Sequence, residues 1–494
     1  MTALGSCPGC GSSITFRTGA SVCAICEYCN TTVRRTDRGL ENLGVVANLV
    51  DAPGIVAVGD SCVARGIRFW VLGSVTLAHD MGGEWTEWYV SFENGQWGWL
   101  AYAQGMFMLT QKVQPTKLVP PPSQIRLDTT VDLQPHGHFR VVECKKARIA
   151  SMKGELPFAP KAGDIRYYAD LHGPSGGFGT IDWGNRTEPV EVFVGYQFTE
   201  SHLQISEQSE RPHKQIRLEG LMCPSCGASI DLRGGKSIEH VACQYCRTIF
   251  DSESRRIVAK QIRTAQVPDI AIGSFGTVEG QQYTVIGFQT KSVRDKDEVF
   301  YWNEYLLYAQ GVGFRWLVSS SGRWHFVTPV NAADVDINKY PRLLAYNHRL
   351  FWYKEQSTAR TMLVLGEFYW RVTVGEITHC MDFSNGADLV SREEGSSEVH
   401  YSYAASLPQG TVAKAFNIRE KVVLLPDAED PPDWKDRTDW TSFKVFKYVF
   451  WGLATVFGIW AQVAMDGGCG CDDDASSPSV RGTPTLGGGW SSGK

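Results

Sequence analysis

At 494 residues the chain is too long for one ordinary hydrophobic core and divides into several domains. Its composition, 43% hydrophobic, 20% charged and 12% aromatic, is that of a globular protein. The net charge of −5 supplies no overall attraction to nucleic acid or to anionic lipid.

The first element is a pair of knuckles, Cys7-Pro-Gly-Cys10 and Cys26-Glu-Tyr-Cys29. Two Cys-x-x-Cys pairs at this spacing bring four thiolates to one tetrahedral centre, as in a zinc ribbon. Residues 1–36 are therefore read as a first ribbon, followed by a connector over 37–53 with room for a short helix. Cys23-Ala-Ile-Cys26 forms a competing knuckle, so a part for Cys23 in the site stays open. Residues 54–200 read as a β-domain, because segments such as Phe69-Trp-Val-Leu72 and Tyr89-Val-Ser-Phe92 are β-branched and aromatic and are punctuated by Gly, Asn and Asp. The proline-rich stretch Pro115–Ser123 splits this domain into an earlier and a later half. Strand order is not legible at this level.

After a polar linker over 201–218 the pattern starts again. Cys223-Pro-Ser-Cys226 and Cys243-Gln-Tyr-Cys246 predict a second ribbon over 219–252, with His240 at the position of Cys23. A connector over 253–267 and a second β-domain over 268–408 follow. Cys7 and Cys223 lie 216 residues apart, and Cys29 and Cys246 lie 217 apart. Glu87 and Glu304 are also 217 apart, and Gly154-Glu155 precedes Gly366-Glu367 by 212. An offset held so closely over 160 positions means internal duplication. The expected fold class is mainly β: two duplicated antiparallel β-barrel or sandwich domains, each preceded by a small zinc ribbon, plus one C-terminal transmembrane helix.

That helix is predicted over 443–465, after a linker over 409–442. Its uncharged stretch Tyr448–Met465 would span about 27 Å, close to the hydrocarbon thickness of a bilayer. Lys435, Arg437, Lys444 and Lys447 precede it, and Asp466 and Asp472–Asp474 follow. The positive-inside rule then places the large N-terminal part in the cytoplasm and the Gly/Ser/Asp-rich tail, 466–494, across the membrane. Metal-ready cysteines agree with a reducing compartment.

The eight ribbon cysteines are the residues that carry chemistry: Cys7, Cys10, Cys26 and Cys29, then Cys223, Cys226, Cys243 and Cys246. Four thiolates fill the coordination shell of zinc, so two structural ions are expected and no catalytic site is assigned to them. Glu87 and Glu304 sit in aromatic clusters and would be general-acid candidates if buried. The preferred reading gives each a hydrogen bond from a backbone or Trp N–H that orders a strand. Glu155 and Glu367 read as turn residues. His136-Gly-His138 reads as a surface turn and Gly173–Gly179 as no phosphate cradle. Arg34, Arg35 and Arg38, with Arg255, Arg256, Lys260 and Arg263, are too few to favour nucleic acid over a solvated connector.

The Trp85-Thr-Glu87-Trp cluster with Trp302-Asn-Glu304-Tyr, the later Trp99-Leu and Trp316-Leu, and the Gly-Glu pairs resemble the bacterial domain-of-unknown-function family 4178. Two copies, over about 55–200 and 268–408, are identified. The resemblance implies a bacterial, inner-membrane-associated protein of an envelope-linked system, with partner proteins still unidentified. It implies no catalytic residues. The leading expectation is a membrane-anchored cytoplasmic zinc-ribbon scaffold or sensor that binds partner proteins. A membrane-associated enzyme using Glu87 or Glu304 comes second and a nucleic-acid module third.

Overall fold

The computed structural model describes residues 3–419 apart from 37–38, 46–54, 80–83, 104–105, 160–162, 208–220, 235–237, 253, 262–266, 296–297, 321, 338–342 and 396. The chain divides into two units, with the boundary in sequence after residue 217.

In the first unit eight antiparallel strands close into a barrel. Around it they run Ile67–His79, Glu84–Phe92, Trp97–Ala103, Met106–Val113, Glu191–Thr199, Gly177–Asp182, Ile165–Gly173 and His138–Leu156. The last of these closes the barrel on the first, from Ala147 opposite His79 to Gly154 opposite Gly73. Closure removes the sheet edges that would otherwise be left unpaired. The proline-rich stretch explains the jump in strand order. After Met106–Val113 the chain leaves the barrel and makes a 3₁₀ turn at Pro122–Gln124. It tucks Ile125, Val131 and Leu133 against Leu171, Ile181 and Trp183, then returns as the closing strand.

The second unit repeats this topology. Its barrel order is Gln281–Asp295, Glu298–Ala309, Gly313–Ser320, Arg323–Val330, Val399–Leu407, Asp388–Glu394, Ile377–Asn385 and Arg349–Phe368, closed by Gly366 opposite Gly287. Equivalent residues hold equivalent places. Glu87 pairs with Val75 as Glu304 pairs with Gln289. Trp99 lies opposite Tyr89 as Trp316 lies opposite Leu306.

Each ribbon continues the sheet of its own barrel, so the hydrogen bonding joins what the sequence reading had separated. Strand Cys23–Ile25 pairs with the end of the closing strand, Ala24 opposite Glu155 and Cys23 opposite Leu156. In the second unit Val241 lies opposite Glu367 and His240 opposite Phe368. The connectors hold strands, Gly39–Val45 and Ile257–Lys260, where a helix had been allowed for; each pairs with the preceding ribbon strand. Residues read as linkers also join the fold. Leu203–Glu207 pairs with Ser61–Ala64 beside the first barrel. At the corresponding edge of the second, the short helix Thr411–Phe416 buries Val412 and Phe416, four residues apart on one helical face.

Among the described residues no helix is long and apolar enough to cross a membrane. The span predicted over 443–465, the tail over 466–494 and most of the preceding linker lie outside the described residues.

Candidate metal centres

The knuckles form because each Cys-x-x-Cys turn folds its backbone onto the first sulfur. Cys7 N–H donates to Ser12 O at 2.8 Å and Gly11 N–H to Cys7 O at 2.8 Å, while Gly9 N–H donates to Cys7 Sγ at 3.3 Å. Cys223 and Gly227 repeat the pattern at 2.9 Å each. Gly11 and Gly227, at φ of 79° and 72°, take the left-handed conformation that a glycine adopts without strain. Asn30 and Arg247 turn the second knuckle of each ribbon, at 55° and 66°.

Four sulfurs converge in each ribbon, all within 4.8 Å of one another. Cys7 and Cys29 Sγ are 3.6 Å apart, and Cys10 and Cys26 3.7 Å. In the second ribbon Cys223–Cys246 is 3.5 Å and Cys226–Cys243 is 3.8 Å. A tetrahedron with metal–sulfur bonds of about 2.3 Å has edges of about 3.8 Å, so both groups could hold a metal ion. The distances are far from the roughly 2.05 Å of a disulfide, and all eight thiols are free. Burial matches position by position: the first and third cysteines are buried, the second exposed and the fourth intermediate.

The electrostatics also suit a cation. Burial pushes the Cys7 thiol up to about 11 and Cys243 up to about 12. Burial acts on Cys26 and Cys246 too, but hydrogen bonds with Ser12 or Thr248 and with nearby backbone N–H groups outweigh it, and each falls to about 6. Each site thus begins with a thiol ready to ionise, and a bound cation would favour the thiolate at the others.

Cys23 and His240 belong to neither group. Cys23 Sγ donates to Phe158 O at 3.0 Å, and His240 Nδ1 lies 3.4 Å from Val372 O. Both are buried where ribbon and barrel join, and burial lowers His240 to about 4 and raises Cys23 to about 12.

Glu155 and Glu367, read from sequence as turn residues, are instead buried acids on the closing strands. Glu155 accepts Arg17 N–H at 2.9 Å and Ser21 Oγ–H at 2.6 Å. Glu367 accepts Arg233 N–H and Gly234 N–H, both at 2.7 Å. Each carboxylate therefore latches a ribbon to its barrel. The preceding glycines, Gly154 and Gly366, have φ of 71° and 85° and stand where the closing strand passes from its barrel partner to the ribbon strand. The available signal was the recurrence of an acid flanked by Gly and an apolar residue, Leu156 or Phe368.

Glu87 and Glu304 are buried inside the barrels, at 2% and 0% exposure. Glu87 accepts Trp85 Nε1–H at 3.2 Å, and Glu304 accepts Trp302 Nε1–H at 2.6 Å and the Gln289 amide. Burial raises the Glu304 carboxyl above its ordinary range, opposed by Lys291, Trp302 and Gln289. Sequence reading passed over Lys291 and Glu393, which share that interior; the period-2 alternation of Gln289, Lys291 and Val293 was the clue.

Of the basic residues after the ribbons, Arg34 pairs with Glu41 and Arg35 donates to Gly19 O at 2.6 Å. Arg255, Arg256 and Lys260 are exposed. Arg38 and Arg263 lie outside the described residues. His136 and His138 are exposed at a turn.

No curated protein and no solved structure matches the chain. One family pattern does, described as Domain of unknown function (DUF4178), over residues 57–200 and again over 271–409. Those ranges start just before each barrel and end with it, and together they exceed half of the chain. The chain belongs to the DUF4178 family and carries that domain twice.

Proposed function

We propose that this protein is a membrane-anchored cytoplasmic scaffold or sensor of a bacterial envelope-linked system, built on two structural zinc ions. The observation that carries this reading is the latch. In both units a four-sulfur site is tied to a closed barrel by a buried glutamate and by a shared sheet. Four sulfurs complete the tetrahedral shell of zinc and leave no position for a substrate water, so the metal's role is to hold the ribbon in shape. Two similar units on one tether raise their effective concentration for a partner with repeated sites.

Anchoring rests on the uncharged stretch Tyr448–Met465 and the basic residues before it. Protease added to spheroplasts should trim only the tail after residue 465, and truncation after Leu425 should release a soluble protein that still carries metal. Digestion of the ribbons from outside would overturn the orientation. For the scaffold role, purification from detergent-solubilised membranes should recover a partner with the full chain, and recovery should drop sharply when either unit is deleted. A partner retained equally by each single unit would contradict the two-site reading.

A further inference from the structure

The two four-sulfur groups share most of their surroundings and differ in one hydroxyl. The turn after each first knuckle is built alike. Cys7 N–H donates to Ser12 O at 2.8 Å and Cys223 N–H to Ala228 O at 2.9 Å, so Ser12 and Ala228 hold the same place, both half-buried. A threonine stands beside the fourth cysteine of each group, with Thr31 Oγ1 3.1 Å from Cys29 Sγ and Thr248 Oγ1 3.2 Å from Cys246 Sγ. Ser12 adds what Ala228 lacks. Its Oγ lies 3.1 Å from Cys10 Sγ and 3.1 Å from Cys26 Sγ, between the two knuckles. Ser225, which the second ribbon carries in place of Gly9, is exposed and bonds to no sulfur among the described residues.

That hydroxyl matters most when the site is filled. Four thiolates outweigh the charge of one zinc ion, so the filled centre is a net anion. Coordinated thiolates carry no proton, which makes the Ser12 O–H the donor. A hydrogen bond to an ionised acceptor is about twice as strong as one between neutral groups. Outer-shell partners of this kind change metal affinity by about 10–100-fold. The second ribbon lacks this support, and its ligands are the ones packed into their barrel. Cys223, Val241 and Cys243 share one apolar cluster with Ile286, Trp316 and Phe368. Around Cys7 and Cys26 the buried members of the cluster all lie between residues 7 and 33, within the ribbon.

We propose that the second centre is a zinc-responsive element. Without the hydroxyl that Ser12 gives the first centre, it releases its ion first as free zinc falls. The loss then reaches the second barrel through the cluster that holds Cys223, Cys243 and Trp316, because the ion supplies folding energy to a ribbon too small to hold its shape alone. The first centre keeps its ion over the same range. This rests on the reading of two structural zinc ions and names the signal, zinc availability, for the sensor role. It is independent of the anchor and of any partner.

Titration of the zinc-loaded full chain with a zinc chelator tests it, with released zinc, amide hydrogen exchange and tryptophan fluorescence followed together. The wild type should release its two ions in two steps separated by about 10–100-fold in free zinc. The first step should speed exchange at Cys243 and Arg247 and change the fluorescence, and the second should speed exchange at Cys26 and Asn30. S12A should weaken the first centre and A228S should strengthen the second, so that each variant draws the two steps together. Both substitutions install the residue that the other ribbon already carries, and both should leave far-ultraviolet circular dichroism unchanged. A wild type that takes up fewer than two ions would overturn the two-ion reading and this proposal with it. Two ions released in a single step, release from the first ribbon first, a first step without a fluorescence change, or steps unmoved by S12A and A228S would overturn this proposal and leave the two-ion reading standing.

Discussion

The Glu367 carboxylate accepts the Gly234 N–H at 2.7 Å, which ties a loop of the second ribbon to the closing strand of its barrel across 133 residues of sequence. Glu155 does the same in the first unit through Arg17 and Ser21. Removing a buried acceptor leaves its donors unpaired, at about 1–3 kcal/mol. E155A and E367A should therefore loosen one ribbon each. Hydrogen exchange should speed up at Arg17 or at Arg233 and Gly234, while the barrel strands of the same unit stay protected. Uniform loss of protection across ribbon and barrel would show that the carboxylate holds more than the latch.

A second prediction concerns the point where the closing strand passes from its barrel partner to the ribbon strand. A Cβ on Gly366 would stand 2.3 Å from Ile286 O, and its φ of 85° is strained for any other residue. On Gly73 a Cβ would lie 1.8 Å from Glu155 O. G366A and G73A should each destabilise their own unit by several kcal/mol, at or above the usual 1–3 kcal/mol of overpacking. Urea unfolding followed by the fluorescence of that unit would measure it.

The third prediction is a pH dependence. Burial raises Glu367 to about 7, against the favourable pull of the Gly234 and Arg233 N–H groups. A carboxyl whose folded value lies above its unfolded value binds more protons when folded, so its contribution to stability falls as pH rises between about 4.5 and about 7 and is level beyond. E367Q cannot titrate. The stability of wild type relative to E367Q should thus decline across that window and then flatten. A relative stability that rises with pH would show that the carboxylate is favoured in the folded state.

Much of this architecture was legible because it rests on local chemistry. The Cys-x-x-Cys spacing defines the knuckles, and the repeat offset alone implies that Glu87 and Glu304 occupy the same place. What could not be read depends on contacts distant in sequence. Strand order turned on where the chain re-enters after Pro115–Ser123, and neither composition nor periodicity encodes that. Glu155 and Glu367 looked like turn residues because a left-handed glycine precedes each. The same glycine also marks a strand leaving one partner for another. Leu203–Glu207 and Thr411–Phe416 fell within stretches read as linkers, yet the first pairs with Ser61–Ala64 and the second buries Val412 and Phe416 against Val278 and its neighbours.

Elemental analysis of the purified full chain tests most directly whether the two equivalent ribbon–barrel units, each with four converging sulfurs, hold one metal ion apiece. Prepared without chelator, the protein should carry two zinc ions per chain. C223S should carry one, with its second ribbon destabilised and its first unit intact. A wild-type preparation with one zinc or none would contradict the account.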